Sequence, residues 1–124
     1  MMIENRRRAF VLDRVAYDLT SLVPQWVKDE SDVVLIFDSL STDGIPRPSV
    51  WSKEFQKQVI QILDKLKFDT ERDYFVVTGH FVPITTACCI FGMLFDTFTI
   101  LQFSNAERAY IAIRVEYQNA DTVS

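Results

Sequence analysis

Glycine, cysteine and histidine are all scarce in this chain of 124 residues, which has three Gly, two Cys and a single His. Three Gly and four Pro leave little room for a loop-dominated or disordered chain, and ten Phe, four Tyr and two Trp argue instead for buried strands. The two cysteines, Cys88 and Cys89, are neighbours in an apolar run. Successive helical side chains point about 100° apart, so this pair supports neither a disulfide framework nor zinc-ligand spacing. Two small buried thiols in a reducing compartment are expected. Residues 1–8 carry four charges and no apolar stretch of the signal-peptide kind. The longest uncharged stretch after His80 covers residues 81–95, with Pro83 inside it and Asp96 closing it. It falls short of the ~20 residues that cross a bilayer, so no membrane association is expected. Internal repeats and low-complexity tracts are absent too, which predicts one unit over residues 1–124, with 1–8 and 118–124 frayed.

The net charge is −4, with a pI near 4.9. An acidic molecule gains no long-range attraction to the backbone of an extended nucleic acid or to an anionic membrane, although a small phosphorylated ligand held locally stays open. Arg6, Arg7 and Arg8 form the basic cluster, and the plainer expectation for it is a solvated N-terminal arm. With 48% hydrophobic and 24% charged residues the composition is that of an ordinary globular domain. At this length folding hides roughly two-thirds of the unfolded surface, so neither a disulfide nor a metal is needed as a staple.

Element by element, the pattern predicts β-α-β-α-β-α-β-β, an α/β domain in two or three layers whose mainly parallel sheet ends in an antiparallel hairpin. Residues 9–17 (AFVLDRVAY) read as a first strand, and 22–30 as a short helix with Pro24 in its first turn or as an extended lead-in to the next strand. Residues 32–38 (DVVLIFD), a continuous apolar run, read as a central strand covered on both faces. Residues 39–48 are a polar loop. From Ser49, a helix cap, the residues Trp51, Phe55, Val59, Ile62, Leu63 and Leu66 recur at helical spacing. Residues 74–78 (YFVVT) are a strand, and Gly79 permits a sharp exit into a helix with Pro83 in its first turn, running to about Phe95 and apolar nearly all round. Residues 98–103 and 108–117 form the hairpin. In the latter strand Tyr110, Ala112, Arg114 and Glu116 alternate with Ile111, Ile113, Val115 and Tyr117, the pattern of a half-exposed edge.

Ligands in parallel sheets sit beyond the carboxyl ends of the strands, which nominates Asp38 and Ser39, then Thr78, Gly79 and His80, then Ser104 and Asn105 as one shared rim. A glycine turn leading into a helix aims free N–H groups at one point, suiting an anion, and Thr85 and Thr86 could add hydroxyl donors. His80 is the candidate catalytic group, a general acid or base or a phosphate donor, with Asp38 to orient it. Against this, the turn has neither the repeated glycines of a dinucleotide fingerprint nor the Gly-Lys-Ser/Thr of a phosphate loop. A structural histidine, with Asp13 and Asp38 as strand-end solvated carboxylates or turn acceptors, is the simpler account. No metal site and no cofactor are expected.

Three segments, AFVLDRVAYDLTSL (9–22), DYFVVTGHFVPITTA (73–87) and LQFSNAERAYIAIRVE (101–116), resemble small uncharacterised α/β proteins encoded by phages and other mobile elements. Those have a strand-borne Asp-Tyr leading into a Thr-Gly turn and close with a hairpin whose charged turn precedes a Tyr. An acidic residue often follows the glycine there, where this chain has His80. A fainter similarity, carried by Val77-Thr78-Gly79-His80 and the Pro83 helix start, is to small standalone CRISPR ring nucleases, which imply binding of a cyclic oligoadenylate across a dimer. The expectation is a non-enzymatic interaction module, an accessory protein in the host cytoplasm that engages a second copy or another protein. The alternative is a nucleotide- or cyclic-oligonucleotide-binding phosphodiesterase acting around His80.

Overall fold

The computed structural model describes residues 7–13, 31–39, 44, 46–78 and 80–116. Their elements are β1 (Arg7–Val11), β2 (Ser31–Leu35), α1 (Lys53–Lys65), β3 (Tyr74–Val77), α2 (Phe81–Leu94), β4 (Thr97–Ser104) and β5 (Ala109–Glu116). The sheet order is β2-β1-β3-β4-β5. Its first four strands are parallel and β5 returns antiparallel to β4. The α/β fold with a mainly parallel sheet and a C-terminal hairpin is therefore the one expected. The helix expected at 22–30 and the strand residues expected at 14–17 lie outside the described residues.

Alternation along the strands sends two sets of side chains to opposite faces. On one face Phe10, Leu12, Phe75 and Phe98 meet Phe55, Val59 and Leu63 of α1 and Ile84, Ala87, Ile90 and Phe91 of α2. Phe91 is the hub, stacked on Phe75 at 4.4 Å between ring centroids and edge-on to Phe68 at 5.1 Å. Each buried Phe contributes about 1.5–3 kcal/mol relative to exposure, so this aromatic layer fixes both helices on the same side of the sheet. The other face carries a separate buried cluster of Ala9, Val11, Tyr74, Val76 and Leu101.

Helix α1 starts later than the Ser49 cap predicts. Its N-cap is Ser52, in extended geometry. The Ser52 hydroxyl donates to the Ser49 carbonyl at 2.7 Å, and Ser49 Oγ accepts from the Trp51 amide at 3.3 Å, so Ser49 closes a turn ahead of the helix. Trp51 belongs to that turn and is 85% exposed, not on the apolar helix face. The helix ends at Leu66, with Lys67 in the left-handed region at φ 55°. The Phe68 amide reaches Leu63 O and the Lys67 amide reaches Asp64 O, a Schellman closure that satisfies terminal carbonyls.

Two further expectations are corrected. Strand β2 lies at an end of the sheet, with Val33 44% exposed, while β1 and β3 occupy the centre. A continuous apolar run shows that a strand is largely covered, but not which strands flank it. Arg7 and Arg8 are not a solvated arm. They are strand residues, and Arg8 is anchored by Asp73, whose side chain is fully buried. Asp73 accepts from Arg8 Nη2 at 2.7 Å and Nε at 3.3 Å, from the Arg8 amide at 3.2 Å and from the Asp69 amide at 2.8 Å. The same guanidinium donates to the carbonyls of Leu66 and Lys67, where the negative end of the α1 dipole attracts a cation. Arg114 of β5 fastens the same connection by donating to Thr70 O at 2.6 Å and to Glu71 Oε1 at 3.0 Å.

Candidate functional site

The chain passes from β1 outward to β2 and then back across β1 to β3, so strand order reverses between β1 and β3. That is where parallel sheets open a crevice at their carboxyl ends. Val11, Val76 and Leu101 lie at one level of the register, which puts Asp13, Thr78 and Ser104 along the same rim just beyond. Residues 38 and 39, following β2, complete it.

The best-ordered chemistry on this rim centres on Asp13, 8% exposed. Its carboxylate accepts from the Ser39 amide at 2.9 Å and from the Ser39 hydroxyl at 2.7 Å, and Arg47 Nε lies 3.6 Å away. Ser39 Oγ in turn accepts from the Arg47 amide at 2.9 Å. The hydroxyl is thus committed on both sides, as a clasp between the ends of β1 and β2 and the segment that follows. Asp13 is the turn acceptor the simpler account describes. Gly44 is packed so closely on Asp38 that an added Cβ would lie 2.4 Å from Asp38 Cβ, which leaves Asp38 half-buried beneath it.

His80 is exposed and serves as the N-cap of α2 without a side-chain capping bond. Among the described residues nothing hydrogen-bonds its imidazole, and the expected Asp38–His80 pairing is not among the contacts. Thr78 and Thr86 are half-buried and Thr85 is exposed. Ser104 Oγ accepts from the Glu107 amide at 3.2 Å and so closes the hairpin turn, with Asn105 exposed beside it. Gly79 lies outside the described residues. Among the described residues the rim therefore brings Ser39 to Asp13 but brings no side-chain partner to His80. No group of three or more His, Cys, Asp or Glu side chains converges for a metal among the described residues.

Helix α2, apolar nearly all round, is covered by the sheet on one side only. It is buried along Pro83, Ile84, Ala87, Ile90 and Phe91, but Phe81 is 80% and Met93 64% exposed. At about 100° per residue Val82, Cys89 and Met93 fall within ~40° of one line, with Thr85 about 60° and Phe81 about 100° to one side of it. This outer face contains no charged residue. The expectation of two buried thiols fails for the same reason. Cys89 is exposed on the outer face and Cys88 half-buried one residue before it. Burial, and then the charge of Cys89, push the Cys88 thiol above its ordinary value of 9.0. A groove of about 460 Å³, lined by Ile60, Leu63, Asp64, Phe68, Leu94 and Phe95, lies between the carboxyl ends of α1 and α2, at the other end of the domain from the rim.

No family model, no curated protein and no solved structure matches this chain.

Proposed function

We propose that this chain is a non-enzymatic protein-binding module, an accessory protein of phage or mobile-element type, that docks a partner through the outer face of α2. The observation that carries this reading is the exposure of Phe81 and Met93 on a helix whose 14 residues include no charge. Surface helices of monomers present a polar face to water, and an apolar one marks an interaction site. Phe81 is the anchor, since aromatic residues seated in a partner's pocket dominate interface energetics. The phage or mobile-element assignment rests on the three resembling segments alone.

The test places a photo-crosslinking amino acid at Thr85, on the same face, in the full chain within its own cells. A protein adduct that disappears in Phe81→Ser/Met93→Ser is expected, with circular dichroism unchanged. No adduct, or an adduct indifferent to that double variant, overturns the reading.

A second reading, a nucleotide- or cyclic-oligonucleotide-binding phosphodiesterase, draws on the N-terminus of α2, where the N-cap His80 makes no side-chain capping bond and the first-turn amides could meet an anion. The commitment of Arg47 to Asp13 counts against it. Thermal-shift titration with nucleotides and cyclic oligoadenylates decides. A ligand at 100 times its dissociation constant adds about 2.7 kcal/mol, and a shift lost in His80→Ala would favour this reading over the first.

A further inference from the structure

We infer that a trough running along one side of α1 binds an acidic amphipathic helix of a partner protein. This goes beyond the α2 reading and uses a different surface. The groove between the carboxyl ends of the two helices adjoins a second depression of about 420 Å³, lined by Lys53, Gln56, Lys57, Ile60 and Gln61, and Ile60 and Gln61 line both. Lys53, Lys57, Ile60 and Asp64 recur at steps of four, three and four, which places them on one stripe of α1. With Lys67 just past the helix end, that stripe extends roughly 20 Å at 1.5 Å per residue.

The occupant follows from the charge and shape of the trough. Its floor is apolar where Ile60, Leu63, Phe68, Leu94 and Phe95 meet. Its charged lining is Lys53, Lys57 and Lys67 against the one carboxylate of Asp64, on a chain whose net charge is −4. All three lysines are exposed, and none makes an ion pair among the described residues. Asp64 and Lys67 balance at one end, so the uncompensated positive charge lies at the Lys53 and Lys57 end, and the apolar floor lies toward Phe95. That arrangement is complementary to a segment with an apolar stripe and carboxylates four residues apart, and it repels a basic one. The upper trough is walled by α1, whose backbone groups bond within the helix, so an extended peptide finds no strand edge there. A helix satisfies its own backbone groups, and one of about 13 residues matches the length.

Panning a display library of random peptides of about 16 residues on the full chain tests this. The enriched sequences should carry net negative charge, with apolar residues at i, i+3 or i+4, and i+7. Fluorescence anisotropy of one such synthetic peptide should show binding that weakens about tenfold or more in Lys53→Glu/Lys57→Glu. Both lysines are exposed, so circular dichroism of that variant should match wild type. No enrichment, enrichment of basic or proline-rich extended sequences, or an affinity indifferent to the charge reversal overturns the inference. Binding lost in Phe81→Ser/Met93→Ser but kept in the charge variant would place the peptide on α2, refuting the trough while leaving the α2 reading standing. Phosphatidylserine vesicles that bind through Lys53 and Lys57 and displace the peptide would assign the surface to an anionic membrane and overturn the inference as well.

Discussion

Replacing Asp73 by Asn tests the anchoring of the N-terminal strand. The side chain keeps its shape, but the charge that holds Arg8 is gone. Asp73 is fully buried, and its carboxylate accepts three bonds from Arg8 and one from the Asp69 amide. Removing one partner of a buried ion pair costs about 3–5 kcal/mol, because the remaining charge stays desolvated. Arg8 retains 21% exposure, so some water can replace the lost carboxylate and the cost belongs near the lower end, about 3 kcal/mol. Urea unfolding followed by circular dichroism reads this directly. With a slope of ~1.5–2 kcal/mol per molar, the midpoint should fall by about 1.5–2 M at unchanged slope. Arg8→Met should cost at least as much, since it also leaves the Leu66 and Lys67 carbonyls without their donor. The double variant should cost clearly less than the two losses added, the mark of direct coupling. A drop for Asp73→Asn below about 1 kcal/mol would mean that the pair behaves like a solvated surface bridge, and the reasoning would be refuted.

Three other perturbations have definite outcomes. Asp13→Ala strands the Ser39 amide and hydroxyl, costs about 1–3 kcal/mol, and should speed hydrogen exchange at the amides of Ser39 and Arg47; unchanged exchange would show that the clasp is idle. Phe91→Ala empties the hub of the aromatic layer and should cost about 3–5 kcal/mol in urea unfolding. Iodoacetamide should modify Cys89 well before Cys88, as peptide mass spectrometry would show. Because the folded state keeps the Cys88 proton above pH 9.0 while the unfolded chain releases it, stability should fall as pH rises past that value, and Cys88→Ser should flatten the fall.

Most of the sheet was legible in the sequence because β3, β4 and β5 are short branched or aromatic runs bounded by polar residues, and the alternation of β5 marked it as an edge. Helix α1 showed itself through Phe55, Val59 and Leu63, but its start was obscured by Trp51, an apolar residue that solvent surrounds. Nothing local marks β2 as a sheet end, since neighbours are chosen by segments distant in sequence. Arg8 looked like one of three solvated arginines because its partner, Asp73, is 65 positions away. The exposed side of α2 was hidden for the opposite reason: a helix apolar at almost every position has no polar stripe from which to read orientation. At the rim, the strand-end rule named Ser39, yet the contact that this residue makes, to Asp13 across 26 positions, depends on how β1 and β2 lie side by side.

The central place of β1 also governs the order in which this chain can be assembled. Strand β1 is made before its partner β3, which is complete only at Val77, roughly 65 residues later. At 5–20 residues per second, that leaves the apolar strand without this partner for about 3–13 s during synthesis. The hairpin of β4 and β5, joined by a four-residue turn, can close almost as soon as it emerges. The most local pairing thus forms on the last-made part of the sheet, while its middle waits for sequence-distant segments to meet, and that delay is the interval in which a nascent chain of this design is most open to misassociation.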